Sequence, residues 1–238
     1  MTSVVFEDAG ALAHAAAEKI LALARNKPDL LLCAATGTSP MQTYAHLARH
    51  HRQYPDTLAR IRVVQLDEWL GLPRGGTSTC EHYLREHLVG PLAVPPERFA
   101  SFPSDASDPE EACKRMQTWL AQNGPIDVCV LGLGLNGHVG LNEPANSLEP
   151  HCHVSALSEQ TRRHAMLSGI PEPPTHGLTL GMADLLDARR ILLLVSGASK
   201  REILERVRES DVTPQLPATL LKQPGNVSLL VDREAAAA

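Results

Sequence analysis

Short apolar runs that alternate with amphipathic segments constrain the fold of this chain more than any other feature. Five runs have the length of a buried strand, at residues 30–34, 61–66, 126–133, 191–195 and 227–231. Segments of helical period lie at residues 11–25, 109–121 and 200–208. Because buried strands separated by helices form βαβ units, the pattern predicts an α/β, Rossmann-like fold. We expect a mostly parallel sheet with helices on both faces.

The length of 238 residues favours one domain, and no linker or internal repeat divides the chain. We expect a single domain over residues 1–234 and a disordered tail at residues 235–238. The proline-rich segment 170–174 interrupts the second half. We interpret it as a loop, or as the hinge of a mobile flap formed by residues 156–176.

The net charge indicates which classes of partner to expect, and the cysteine content indicates the cellular compartment. The formal net charge is −5 and the pI is about 6.1, so we expect no nucleic-acid or membrane surface. The five cysteines form no CxxC pair, and reduced thiols suit the cytosol. No signal peptide or membrane-spanning run is recognised. We expect a cytoplasmic protein with a small-molecule partner, and a homo-oligomer is left open.

Polar groups follow four of the predicted strands at the point where each strand ends. They are Asp67, Lys200, the turn with Asn136 and His138, and the loop of Thr36, Gly37, Thr38 and Ser39. Ligands of an open parallel sheet bind beyond the carboxyl ends of its strands. We therefore expect these groups to surround one site.

The loop at residues 36–39 precedes a predicted helix, with Ser39 as the expected N-cap and Pro40 as a first-turn proline. Free backbone N–H groups and the helix dipole favour a phosphate or carboxylate at such a loop. An ordinary capped turn would look the same in sequence, so both interpretations stay open. Lys200 could be the cationic partner of the anion or could simply be solvated.

Asp67 is expected to end a mainly apolar strand, where partial burial raises the pKa of a carboxyl group and suits it to proton abstraction. Helix capping is the alternative role for an Asp at this position. The neighbouring Glu68 is expected to point elsewhere and to be structural.

The glycine-rich segment 132–144 is the most specific part of the sequence. Its glycines allow a tight exposed turn that carries His138, and Glu143 follows five residues later. Histidine titrates near neutral pH, and a carboxylate partner fixes its tautomer and stabilises its cation. Glycine density, the strand-end position and the nearby carboxylate favour a functional His138 over a structural one.

Other groupings of chemically active residues favour structural roles. His46 and His50 lie four residues apart on a predicted helix, without an acidic or Cys ligand beside them. In His151-Cys152-His153, strand-like alternation would send Cys152 to the opposite face. The chain also has no GxSxG elbow of a serine hydrolase. We expect no metal site.

Three segments resemble one known family. Residues 64–69 (VQLDEW), 137–144 (GHVGLNEP) and 196–200 (SGASK) resemble the glucosamine-6-phosphate deaminase and 6-phosphogluconolactonase superfamily, and the likeness covers nearly the whole chain in order. The ending Asn142-Glu143-Pro144 is typical of its deaminase/isomerase side. Residues 131–134 (LGLG) and 79–81 (TCE) are most similar to galactosamine-6-phosphate deaminase/isomerase.

The resemblance implies an enzyme that converts galactosamine 6-phosphate or glucosamine 6-phosphate into a ketohexose 6-phosphate and ammonia. It implies that His138, oriented by Glu143, opens the sugar ring and that Asp67 moves a proton from C2 to C1. Lys200 and the loop at residues 36–39 would hold the phosphate. No metal or organic cofactor would be needed.

Two positions depart from the glucosamine enzymes and agree with the galactosamine branch. Asn136 stands where the glucosamine enzymes have Asp, so it can orient His138 by hydrogen bonding but cannot hold its cation electrostatically. Leu167 aligns with an Arg of their flap that binds phosphate. Arg162 or Arg163 is the expected substitute for that Arg.

Two other functions stay open. A 6-phosphogluconolactonase would need His138 but has no obvious use for Asn142-Glu143-Pro144. A sugar-phosphate-binding regulator that has lost catalysis would have no reason to retain Asp67, His138 and Glu143.

Overall fold

The strands of the chain form two sheets. A computed structural model describes residues 1–236, and the strands within them are β1 (Thr2–Phe6), β2 (Leu31–Ala34), β3 (Arg62–Gln65), β4 (Asp67–Trp69), β5 (Phe99–Ala100), β6 (Val128–Gly132), β7 (His153–Ala156), β8 (His176–Thr179), β9 (Ile191–Val195) and β10 (Val227–Asp232). Seven of them pair in parallel in the order β1-β10-β9-β6-β2-β3-β5. The predicted α/β fold with a mostly parallel sheet is confirmed.

Helices lie between most of the strands. Within the described residues they are α1 (Ala9–Asn26), α2 (Thr38–Gln53), α3 (Cys80–Leu84), α4 (Pro109–Asn123), α5 (Glu159–Arg162), α6 (Met182–Leu186), α7 (Arg201–Glu209) and α8 (Arg233–Ala236). The side chains of Asp8 and Asp108 accept hydrogen bonds from first-turn N–H groups of α1 and α4. These caps fix where the two helices begin.

Alternation of side chains along the strands builds a core on each face of the sheet. In β9, Leu193 and Val195 belong to a cluster that includes side chains of α4, α6 and α7. Leu192 and Leu194 belong to a second cluster, with side chains of α1 and α2. Because successive side chains of a strand point to opposite faces, a strand covered on both faces must be apolar throughout. Helices therefore cover both faces, as predicted.

Two parts of the sheet structure were not predicted. β1 pairs in parallel with β10 at the edge of the main sheet, although its side chains are mostly exposed. β4, β8 and β7 form a separate antiparallel sheet. Asp67 is the first residue of this small sheet, and the predicted flap region is the connection between β7 and β8. The small sheet therefore links the base candidate to the flap.

Two predictions about element ends were wrong. Helix α2 has Gly37 as its N-cap, so Ser39 lies inside the first turn and does not cap it. The positive φ of Gly37, 101°, allows the sharp turn without a capping side chain. Strand β3 ends at Gln65, and Asp67 opens β4 instead of closing the preceding strand.

The chain end also differs from the expected disordered tail at residues 235–238. Ala235 and Ala236 belong to α8, and Ala235 is buried. The backbone N–H of Ala235 donates to the side chain of Asp232 at 2.8 Å, which ties the last turn to β10. Residues 237–238 lie outside the described residues.

The two histidine groupings noted in the sequence lie away from the carboxyl ends of the parallel strands. His46 is on α2, with its ring 5.2 Å from that of His14, and His151 pairs with Asp184 at 2.8 Å. Within residues 1–236, no group of three or more His, Cys, Asp or Glu side chains could hold a metal ion. Over the same residues, no helix has both the length and the apolar character needed to cross a membrane.

Candidate active site

A pocket of about 550 Å³ opens where β2, β3, β6 and β9 end. Most of the predicted site residues line it: Thr36, Gly37, Thr38, Ser39, Asp67, His138 and Lys200. Asn136 and Glu143 do not line the pocket, but both contact His138. The volume lies in the range of sites for small metabolites. The fold thus brings four separate segments of the sequence to one cavity.

The loop at residues 36–39 forms one end of the pocket. Its backbone turns at Gly37 and continues into α2, a helix of 16 residues without a side-chain cap. The first N–H groups of the helix therefore lack intrahelical partners, and the helix dipole adds partial positive charge. The hydroxyl of Tyr83 donates to the carbonyl of Gly37 at 2.6 Å and fixes the loop.

Lys200 brings a cation to the same pocket from the turn after β9. Its Nζ donates a hydrogen bond to the carbonyl of Leu133 at 2.6 Å. Burial lowers the pKa of Lys200, because the ammonium is partly withdrawn from water. An anionic ligand in the pocket would restore that lost stabilisation.

Asp67 lines the pocket although only 8% of its surface is exposed. Burial, reinforced by the charge of Glu68, raises the pKa of Asp67 to about 7, while a hydrogen bond with Cys80 acts in the opposite direction. A carboxyl group with this pKa is present as both acid and base near neutral pH. That property suits a group that must take up a proton and give it back.

Glu68 is fully buried and anchors the backbone next to Asp67. Its carboxylate accepts from four N–H donors at 2.8–2.9 Å, the backbone amides of residues 69, 80 and 81 and the side chain of Gln65. The same Gln65 amide donates to the backbone carbonyl of Asp67 at 2.8 Å. Burial raises the pKa of Glu68, and the four hydrogen bonds oppose this rise. Glu68 therefore has the structural position expected of it.

The ring of His138 is held between a glycine and two polar groups. A Cβ on Gly134 would overlap the imidazole, so glycine is needed for the ring to lie there. On the Nδ1 side, the hydroxyl of Thr161 is 3.2 Å away and Oε2 of Glu143 is 3.7 Å away. Nε2, on the other side of the ring, is the nitrogen left for a ligand.

Asn136 acts on His138 indirectly. Its Oδ1 accepts from the backbone N–H of His138 at 3.1 Å, and its Nδ2 donates to Glu143 at 2.6 Å. Burial acts to raise the pKa of Glu143, but hydrogen bonds with His138, Thr161 and Asn136 lower it to about 2. Glu143 is therefore a permanent anion beside the imidazole. An Asp at position 136 would instead set two carboxylates in competition for one proton.

The flap of residues 156–176 covers one side of the pocket, with Thr161, Arg163 and His164 in the wall. Leu167 is buried in a small apolar cluster. Arg162 does not line the pocket, and its guanidinium donates to the carbonyl of Pro173 at 3.4 Å. Of the two arginines expected to replace the missing flap Arg, only Arg163 reaches the cavity.

Sequence reasoning missed Thr161 and His164. Both lie in a segment without a strand or helix period, where a hydroxyl or an imidazole gives no signal of its own. Their approach to the pocket depends on the pairing of β7 with β8, which was not predicted.

With this geometry in hand, comparison with known proteins identifies the family. The family model described as glucosamine-6-phosphate isomerases/6-phosphogluconolactonase matches residues 7–231. The chain belongs to this family. It is 40% identical to the provisionally named deaminase AgaI of Escherichia coli (strain K12), over 95% of this chain and 90% of that protein. It is 35% identical to the glucosamine-6-phosphate deaminase of Bacillus pumilus (strain SAFR-032), over 99% of this chain and 98% of that protein. The resemblance seen in the sequence is confirmed.

Solved structures agree with the family assignment. A monomeric glucosamine-6-phosphate deaminase of the NagB superfamily superposes with a TM-score of 0.94 at 33% identity, covering 99% of both chains. A 6-phosphogluconolactonase from Trypanosoma brucei has a TM-score of 0.77 at 22% identity, covering 99% of this chain and 97% of that one. The second likeness is one of fold alone.

Proposed function

We propose that this protein is an amino-sugar-phosphate deaminase/isomerase. It converts galactosamine 6-phosphate or glucosamine 6-phosphate into a ketohexose 6-phosphate and releases ammonia. The observation that carries the proposal is Asp67, a buried carboxyl group with a pKa of about 7 that shares one pocket with His138 and an anion-binding loop. The relatives named above carry deaminase names and are matched over at least 90% of their length, which supports the same reaction class.

The phosphate of the substrate binds between the loop at residues 36–39 and Lys200. The amides at the start of α2 and the ammonium of Lys200 face a dianion from two sides of the pocket. Anchoring the phosphate places the other end of the sugar against Asp67 and His138. Fixing C1 and C2 in this way converts a weak carboxylate base into an effective one.

His138 and Glu143 open the sugar ring. The imidazolium of His138 delivers a proton to the ring oxygen as the bond between that oxygen and C1 breaks, and the imidazole takes up the proton of the C1 hydroxyl, which gives the aldehyde. Glu143, ionised because its pKa is about 2, stabilises the imidazolium from 3.7 Å. Thr161 holds the same side of the ring at 3.2 Å.

Asp67 then moves a proton between two carbon atoms. It removes the proton from C2, the electron pair forms a C1–C2 double bond, and the carbonyl oxygen takes up a proton from the imidazolium of His138, which regains a proton when water adds to C2. Asp67 returns its proton to C1, which leaves an iminium group at C2. Water adds to C2 and ammonia leaves, so the product is a ketohexose 6-phosphate. The pKa of Asp67 near 7 suits both the removal and the return of the proton.

Ammonia release from the two hexosamine phosphates tests the proposal. Wild-type protein is assayed beside Asp67→Asn, with Asp56→Asn as a matched control because Asp56 is exposed and outside the pocket. We expect ammonia from the wild type and the control, and none above background from Asp67→Asn. Brisk hydrolysis of 6-phosphogluconolactone without ammonia would instead place the protein with the lactonases.

The galacto substrate is the proposed preference. It rests on the similarity of residues 131–134 and 79–81 to the galactosamine branch and on Asn136 at the position where glucosamine enzymes carry Asp. The ratio of kcat/KM for the two epimers measures this preference directly. A larger kcat/KM for glucosamine 6-phosphate would overturn the preference and leave the reaction class intact.

A further inference from the structure

The anion-binding loop faces a histidine that the reaction scheme above does not use. His164 lies in the flap and lines the pocket. Its Nε2 would be 3.8 Å from a Cβ placed on Gly37, which puts the imidazole beside the turn that begins α2. His138 and Lys200 are its charged neighbours. His164 therefore lies beside the loop end of the pocket and within electrostatic reach of His138 and Lys200.

One hydrogen bond fixes the tautomer of His164. The backbone N–H of Met166 donates to Nδ1 at 3.2 Å, so Nδ1 must present its lone pair. In the neutral imidazole the proton then belongs to Nε2, the nitrogen that faces the loop. Burial, together with the charges of His138 and Lys200, lowers the pKa of His164 and favours this neutral form.

The ring is also fixed in direction. It packs against the indole of Trp69 with 5.7 Å between ring centroids. Among residues 1–236, Nε2 of His164 has no hydrogen-bond partner, whereas Nδ1 is occupied by Met166. The site therefore holds a preorganised N–H donor that points towards the anion loop, and its orientation requires no ligand.

We propose that the Nε2–H of His164 is a phosphate-binding donor of this enzyme. It supplies a flap contact that is already in place without a ligand, whereas Arg162 donates to a backbone carbonyl outside the pocket and the side chain of Arg163, which reaches the cavity, is 81% exposed and paired with Glu159. A neutral donor strengthens phosphate binding without placing a further cation beside Lys200. This inference rests on the proposed function only in naming the anion as a sugar phosphate.

Two substitutions at position 164 distinguish hydrogen-bond donation by Nε2–H from the structural role of the side chain. In His164→Asn, the short amide can still accept from the N–H of Met166 but has no atom at the Nε2 position. In His164→Gln, the longer amide places an N–H donor near that position. His176→Asn is the matched control, because His176 is exposed on β8 and outside the pocket.

The probe is inorganic phosphate, titrated calorimetrically into the full chain, with thermal melting of each variant as a check of folding. Loss of one hydrogen bond to a charged group weakens binding about 10-fold or more, so we expect this change in His164→Asn. We expect His164→Gln and His176→Asn to bind within about twofold of the wild type, the error range of such comparisons. Equal phosphate affinity in all four proteins, or equal weakening in both His164 variants, would overturn the inference.

The same variants separate this inference from the proposed function. Phosphate binding is measured without turnover, so a His164-dependent affinity in a protein that releases no ammonia would contradict the function alone. Ammonia release with an unchanged KM in His164→Asn would contradict the role of His164 alone.

Discussion

Replacing Asp67 by Asn should stabilise the protein while it abolishes activity, and the gain should depend on pH. Asp67 is 8% exposed, and its pKa is raised from 3.8 to about 7 in the folded chain. A carboxyl group whose pKa is raised by folding contributes to the stability of the folded state at pH values below the pKa that it has in the unfolded chain. That contribution is lost as the pH rises through the folded value. At pH 8 the native state therefore carries a buried carboxylate that the Asn variant lacks.

The size of the effect follows from the two pKa values. A shift of about three pH units corresponds to about 4 kcal/mol between fully acidic and fully alkaline conditions. The folded carboxyl group ionises between pH 5 and pH 8. Over this interval the free energy of unfolding changes by roughly 3 kcal/mol. For a chain of this size, that free energy corresponds to a difference in Tm of roughly 10 °C.

Urea denaturation at several pH values measures the difference directly. We expect the free energy of unfolding of Asp67→Asn to exceed that of the wild type at pH 8, with the excess falling by roughly 3 kcal/mol at pH 5. The acid limb of kcat/KM should show the same apparent pKa of about 7. The denaturation experiment contains no substrate, so the titration of the substrate phosphate cannot account for its midpoint.

One control makes the result decisive. Asp56→Asn should change stability by the same small amount at every pH from 5 to 8, because Asp56 is exposed. A difference between Asp67→Asn and the wild type that is independent of pH would refute the reasoning, since it would mean that Asp67 does not titrate near neutrality in the folded protein.

Three further substitutions test the rest of the site. Gly134→Ala should lower kcat at least tenfold by displacing the ring of His138, whereas Gly225→Ala, with open space at its Cβ, should be neutral in steady-state kinetics. Glu143→Gln should lower kcat at least tenfold and destabilise the protein at pH 7. In urea titrations this destabilisation should shrink as the pH falls from 4.5 towards 2, because the lowered pKa of Glu143 contributes stability only where the group is ionised. Lys200→Met should raise KM roughly 10- to 100-fold with a smaller change in kcat, and an unchanged KM would contradict phosphate binding by Lys200.

The location of the site could be predicted from the sequence because it depends on topology. Buried runs that alternate with helices allow few arrangements other than a parallel sheet, and such a sheet brings the ends of its strands to one edge. Asp67, His138 and Lys200 stand at those ends, so their position in the chain was enough to place them at one pocket. The capping of α2 by Gly37 instead of Ser39 did not affect this outcome, because the loop still ends at the same edge.

Properties that depend on distances between segments far apart in the chain could not be predicted from the sequence. The pKa of Asp67 depends on burial and on Glu68, whose charge is fixed by the amides of α3. The ionisation of Glu143 depends on Thr161, which a second sheet brings to the pocket. The tautomer of His164 depends on a single backbone N–H.

The sequence by itself therefore determined the fold class, the family and the residues at the strand ends, since apolar periodicity and local motifs are properties of neighbouring residues. Only the tertiary structure decided the protonation of Asp67, the partners of His138 and the approach of His164 to the anion loop. The physical reason is that the free energies of burial and of hydrogen bonding change by several kcal/mol when a group moves by one or two ångströms. No pattern along the chain specifies distances of that size between residues a hundred positions apart.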